Sequence, residues 1–139
     1  MIDLKQLKKK TLGMSILLVE DELSLCKAIE VSLKLLFKHT QACLNGKDAL
    51  EKYKMQNYDI IITDINLPEM NGIDLIRAIR KINPKQLIIV LTAHNESYIL
   101  DTLRSLEVDI IISKPLFPNK LKEVLLEAAV RLKATEIEI

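Results

Sequence analysis

The chain has no apolar run long enough to cross a bilayer, no large excess of one charge, and little cysteine, glycine or proline. A transmembrane helix needs about 20 consecutive apolar residues, and the aliphatic stretches here are strand-sized. The N-terminus lacks the apolar core of a secretory signal, so the expected location is the cytoplasm. The formal net charge is +1, which gives no overall field for nucleic acid. Cys26 and Cys43 show no metal-ligand spacing and read as buried, reduced thiols rather than a redox pair. Three glycines and four prolines leave no low-complexity tract. What is present is ordinary for one globular domain: 139 residues, 49% apolar and 28% charged, enough for a real core.

Residues 1–13 stand apart. Lys5, Lys8, Lys9 and Lys10 interleave with Leu4, Leu7 and Leu12 ahead of Gly13. The pattern fits either a short basic amphipathic helix that touches a membrane or partner, or a solvated leader. The small apolar face favours the leader. From residue 15 onward, strand and helix patterns alternate. Strands are expected at 15–20, Thr40–Leu44, 59–63, Gln86–Leu91 and Asp109–Ile112. Helices are expected at 22–37, 47–56, 73–82, 96–106 and 118–133. Asn45-Gly46 ends the second strand, Pro84 blocks the helix before it, and Pro118 suits the first position of the last helix. Asp21 is placed to cap the 22–37 helix or to bind metal. Five β-α units imply an α/β fold with a parallel sheet, right-handed crossovers and helices on both faces. The expected organisation is a basic leader at 1–13, one domain over 14–133, and a tail at 134–139 that would begin a linker if an output domain follows.

The strands converge on one site. The runs Ser15–Val19 and Asp59–Thr63 have no polar alternation, as in strands buried on both faces. Glu20 and Asp21 follow the first and Asp64 follows the second. In open α/β sheets, ligands bind outside the carboxyl ends of the strands, so these carboxylates meet at one edge. Leu91-Thr92-Ala93 and Ser113-Lys114-Pro115 end the fourth and fifth strands at the same edge. Three packed carboxylates are costly without a cation. All-oxygen ligands point to Mg²⁺ or Mn²⁺ over zinc. Lys114 supplies a point charge suited to a phosphoryl group, and the Thr92 hydroxyl supplies a hydrogen bond. Metal, lysine and hydroxyl around one carboxylate describe a phosphoryl-accepting Asp.

The chain at this point closely resembles the receiver domain of two-component response regulators, of the chemotaxis-regulator kind. The resemblance is carried by Leu17–Glu22, Asp59–Gly72, Leu91-Thr92-Ala93 and Lys114-Pro115, in that order, within residues 14–130. It implies a (βα)5 doubly wound, flavodoxin-like sheet in strand order 2-1-3-4-5. It implies Asp64 as phosphoacceptor, taking its group from a sensor histidine kinase or a histidine phosphotransfer protein. Glu20, Asp21, Asp64 and the backbone carbonyl of Asn66 would be the Mg²⁺ ligands. Thr92 would be the switch hydroxyl, Lys114 the lysine that pairs with the phosphoryl group, and Lys114–Pro115 a cis peptide bond. Ala93 would leave the phosphoryl group accessible. Asn66 and His94 hold positions that tune its loss.

Two positions depart from the family pattern. Ile111 stands three residues before the lysine, where an aromatic usually swings inward to report phosphorylation. Glu107 stands where the family mostly has Gly, a preference tied to left-handed backbone after a helix. Both fall beside the expected signalling face, formed by the fourth and fifth strands and the helices near 96–106 and 118–133. Phosphorylation chemistry is therefore expected to survive, with the readout altered. The expected function is a phosphorelay switch, not an enzyme on other molecules, that changes its binding of a downstream protein, an output domain or a second copy. One alternative is a degenerate receiver acting as a docking module. Another is a Mg²⁺-dependent phosphatase with an Asp nucleophile. Such enzymes commonly place a second Asp two residues on, and Asn66 cannot do that proton work. A DNA-binding role would need a helix-turn-helix domain after residue 130, so no nucleic acid is expected on this domain.

Overall fold

Three aliphatic runs, too apolar to face water on either side, form the centre of a five-stranded sheet, with a more polar, part-exposed strand at one edge and a short part-buried one at the other, and helices cover both faces. The computed structural model describes residues 2–93 and 96–137. The strands are β1 (Ser15–Val19), β2 (His39–Cys43), β3 (Ile60–Asp64), β4 (Leu87–Thr92) and β5 (Ile110–Ser113). All pairings are parallel, in the order β2-β1-β3-β4-β5. The register pairs Leu17 with Ile61, Asp64 with Leu91, and Thr92 with Ser113. The helices are α1 (Leu4–Thr11), α2 (Leu23–Leu36), α3 (Gly46–Met55), α4 (Gly72–Ile82), α5 (Ser97–Ser105) and α6 (Pro118–Ile137).

The two-residue pleat of the strands divides the core into two halves. Ile16, Leu18, Ile60, Ile62, Ile89 and Ile112 point to one face and pack under α1, α2 and α6. Leu17, Val19, Ile61, Ile88 and Val90 point to the other and pack under α3, α4 and α5. Side-chain caps fix two helix starts close to the carboxyl edge. Asn45 accepts from the Asp48 N–H at 2.8 Å, and Asn71 accepts from the Asp74 N–H at 2.9 Å. Each satisfies one of the donors that a helix start leaves over.

Three expectations need correction. The N-terminal segment is not a solvated leader, because α1 packs into the seam between α2 and α6. Leu7 is fully buried, and the Thr11 hydroxyl donates to the Leu36 carbonyl at 2.6 Å. One leucine and one hydroxyl dock a helix whose apolar face is small. At the other end, α6 does not stop at residue 133 but continues to Ile137, since no glycine or proline interrupts it. Asp21 does not cap α2: Glu22 holds the N-cap position and makes no side-chain cap bond. Among the described residues no helix is long and apolar enough to cross a membrane.

Candidate functional site

Four of the five strands, β1, β3, β4 and β5, deliver a polar side chain to the carboxyl edge. Val19 is the last residue of β1, and the Glu20 N–H still bonds the Cys43 carbonyl at 3.1 Å. That bond carries the strand direction one residue further and turns the Glu20 side chain inward, where it is 1% exposed. Asp64 is the last residue of β3 and is 6% exposed. Its Oδ1 accepts from the Ile65 N–H at 2.6 Å, which orients the carboxylate. The Thr63 hydroxyl donates to the Asp64 carbonyl at 2.8 Å. Asp21 is exposed. Ligand oxygens of Glu20, Asp21 and Asp64 lie within 4.8 Å of one another.

Lys114 crosses from the end of β5 into this cluster. Its Nζ lies 2.7 Å from Asp64 Oδ2 and 2.9 Å from Glu20 Oε1. The Lys114 backbone N–H bonds the Thr92 carbonyl at 2.9 Å, which ties the lysine to the end of β4. Thr92 itself is buried. The Lys114–Pro115 bond is cis. Ala93 is exposed next to Thr92, and Asn66 is exposed two residues beyond Asp64. His94 lies outside the described residues.

The electrostatics follow from burial. Desolvation pushes the Glu20 carboxyl above its ordinary value; the Glu22 N–H and the Lys114 ammonium oppose this, and the Asp64 charge adds to it. Burial alone would lower Lys114, but its bonds to Asp64 and Glu20 outweigh that and raise it. Lys114 is therefore a fixed cation. Glu20 Oε2 accepts from the Glu22 N–H at 3.0 Å. Glu20 Oε1 is buried with no well-aligned hydrogen bond, its closeness to Lys114 being an ion pair only. A buried carboxylate oxygen left with a lone pair to spare, beside two more carboxylates, fits a hard divalent cation.

Two glycines let the loops close over the site. A Cβ on Gly72 would run into the Asp64 carbonyl, and one on Gly46 into the Met70 carbonyl. The Gly72 N–H bonds the Ile65 carbonyl at 2.7 Å, so the β3–α4 loop folds directly onto the strand that carries Asp64. The two departures noted in the sequence are also placed. Ile111 is half-buried on β5 and packs with the α3–α4–α5 half of the core. Glu107 takes left-handed backbone, φ 58°. The Glu107 and Val108 N–H groups cap α5 by bonding the Arg104 and Leu103 carbonyls at 2.9 and 3.1 Å, the two bonds of a Schellman end.

The Lys114 bridge between Asp64 and Glu20 has no local sequence signal, and neither does Arg80. The Arg80 guanidinium donates to the carbonyls of Gln86, Leu106 and Glu107 at 2.6–2.8 Å. It thereby pins the turn that the left-handed Glu107 makes.

A parallel sheet in this order, with buried acids and a lysine at its carboxyl edge, has the flavodoxin-like fold of the chemotaxis regulators. The chain belongs to the response regulator receiver domain family, whose model matches residues 16–126. It is 34% identical over 116 residues to the chemotaxis protein CheY of Thermotoga maritima, covering 82% of this chain and 96% of that one. It is 31% identical over 122 residues to the transcriptional regulatory protein ZraR of Klebsiella oxytoca, covering 87% of this chain but 27% of the regulator. The chain thus spans nearly all of the first relative and about a quarter of the second. In fold it matches a CheY-like response regulator receiver domain protein of Methanospirillum hungatei. The TM-score is 0.83 at 21% identity, with 88% of this chain and 98% of that one covered. Helix α1 lies outside the matched span.

Proposed function

We propose that this receiver domain is a phosphorelay switch in which Asp64 accepts a phosphoryl group from a phosphohistidine. The donor is a sensor histidine kinase or a histidine phosphotransfer protein. One observation carries the reading: Lys114 is held between Asp64 and Glu20 at the sheet edge, where a transferred phosphoryl group would need a cation. A carboxylate oxygen of Asp64 attacks phosphorus, the P–N bond breaks, and the imidazole leaves with its electron pair. Glu20, Asp21, Asp64 and the Asn66 carbonyl would hold Mg²⁺, or Mn²⁺ in its place. When bound there, the ion would supply charge neutralisation for the phosphoryl oxygens. Lys114 exchanges its carboxylate partners for the phosphoryl group, and the Thr92 hydroxyl gives a second contact from the end of β4.

These contacts exist in the phosphorylated state only, so they bias one conformation over another. Ala93, Ile111 and Pro115 lie beside that change, and His94 is the residue expected to tune loss of the group. Ile111 supplies no swinging ring, and the readout falls to the loop after β4 and to α5. The partner is a downstream protein, an output domain or a second copy, met in the cytoplasm. The domain's own chemistry is limited to gaining and losing its phosphoryl group.

The test is intact-protein mass after incubation with acetyl phosphate, with and without Mg²⁺, for wild type and Asp64→Asn. The expected result is a Mg²⁺-dependent gain of one phosphoryl group that the variant lacks. Uptake by Asp64→Asn at the wild-type rate would remove Asp64 from the role. No gain under any condition would favour a phosphorylation-independent docking module.

A further inference from the structure

We infer that the groove between α1, α2 and α6 binds one small anionic amphiphile of the fatty-acid class. The acyl chain would lie along leucines and the carboxylate on lysines. The groove has a volume of about 460 Å³, within the range of sites that hold a single small molecule. Leu4, Leu36, Leu121 and Leu125 form its wall, and Lys5, Lys8 and Lys122 stand at its rim. No carboxylate lines it. Three basic side chains elsewhere on α2 and α6 are neutralised on their own helix: Lys34 by Glu30, Lys120 by Glu123 and Arg131 by Glu127. Among the described residues, the three rim lysines have no such partner. Unpaired cations around a low-dielectric cleft focus a positive field into it.

Shape and charge decide between occupants. A cleft is concave, and a flat bilayer cannot follow it to the leucines. Helix α1 has eight residues, hence a wall about 12 Å long. That is two turns, short for a partner helix, which needs about 12–15 residues to hold its own structure. A second copy meeting this one through the same face would bring two sets of unpaired lysines together. A short acyl chain with one negative head satisfies the length, the apolar wall and the rim at once. None of Glu20, Asp21, Asp64, Thr92 or Lys114 lines the groove, so it is separate from the phosphorylation site. The proposal stands or falls independently of it.

The experiment is calorimetric titration of the full 139-residue chain with decanoate, below its micellar concentration. Parallel titrations use decyltrimethylammonium and butyrate, and flotation uses phosphatidylglycerol–phosphatidylcholine vesicles. The variant is Lys5→Glu/Lys8→Glu, both exposed, with the circular dichroism spectrum and thermal melt as the check that the domain is intact. Saturable one-to-one binding of decanoate is expected, with none of the cation or of butyrate. The charge reversal should weaken it by about tenfold or more, as loss of charge-assisted contacts does. A second variant, Ser32→Trp, projects bulk into the groove from α2 and should abolish binding with the lysines untouched. Equal binding of the cationic chain, capture by vesicles without binding of free decanoate, or no effect of either variant would overturn the proposal.

Discussion

At the residue scale, the site is defined by how burial sets the cost of each charge. Glu20 is almost wholly enclosed, and desolvation holds its pKa above the ordinary carboxylate value. A carboxyl raised on folding binds protons more tightly in the native state than in the unfolded one. Its contribution to stability is present at low pH and is lost as pH rises through the raised value. At neutral pH without metal, the ionised Glu20 is therefore a net cost. Glu20→Gln should melt at a higher temperature than wild type in EDTA. With Mg²⁺ the order should reverse: at a concentration a hundred times Kd, wild type should gain about 2.7 kcal/mol and the variant nothing. Thermal melts in EDTA and in MgCl₂ read both effects, and a variant that melts lower in EDTA would contradict the sign. The Lys114 bridge belongs to the same logic, since an unpaired lysine beside those acids would leave more charge uncompensated.

At the element scale, backbone conformation decides how closely loops approach the strands. Gly72 begins α4 directly against the Asp64 carbonyl. Gly72→Ala must displace either the start of α4 or the end of β3, and backbone cannot yield cheaply. It should destabilise the fold by about 1–3 kcal/mol, as overpacking does, and slow phosphorylation by moving Asp64. Urea unfolding and the acetyl phosphate assay measure the two effects. Wild-type behaviour in both would show that the loop relaxes freely. Glu107 shows the converse. A residue with a Cβ in the left-handed region costs about 1–2 kcal/mol, here opposed by the cap of α5 and the Arg80 clamp. Glu107→Gly should raise stability by about 1 kcal/mol with phosphorylation unchanged, and a drop in stability would assign the Glu107 side chain a role of its own.

At the scale of the whole molecule, both halves of the core bury groups that resist ionisation in alkali, and burial raises Cys26 in the half under α1, α2 and α6. Cys43, Tyr53 and Tyr58 share the half under α3, α4 and α5. Burial pushes Cys43 from 9.0 up to about 11, and it raises both tyrosines. These groups stay neutral in the folded state while their unfolded counterparts ionise, so stability is full below pH 9 and falls between pH 9 and 11. Each unit at Cys43 corresponds to about 1.4 kcal/mol. Cys43→Ala should make the fall of ΔG with pH shallower over that window. An unchanged slope in denaturant titrations would assign the alkaline loss to Cys26 and the tyrosines.

The sequence by itself determined the layers and the chemistry at their edge. Uninterrupted runs such as Ile60–Ile62 have no polar face to offer water, so they had to be central strands. The acids and lysine directly after such strands had to gather at one edge. Strand and helix limits shifted by one or two residues at most for β1 to β5 and α2 to α5, where polar caps and prolines mark the ends. Only tertiary structure decided what depends on a surface made by other elements. Leu7 and Thr11 dock α1 because α2 and α6 leave a seam for them, which no pattern within residues 1–13 can show. Arg80 finds the carbonyls of Leu106 and Glu107, distant in sequence, and Lys114 reaches Glu20 across the sheet. Periodicity reports which face of an element is apolar; which side chains then meet is settled by the packing of elements far apart in the chain.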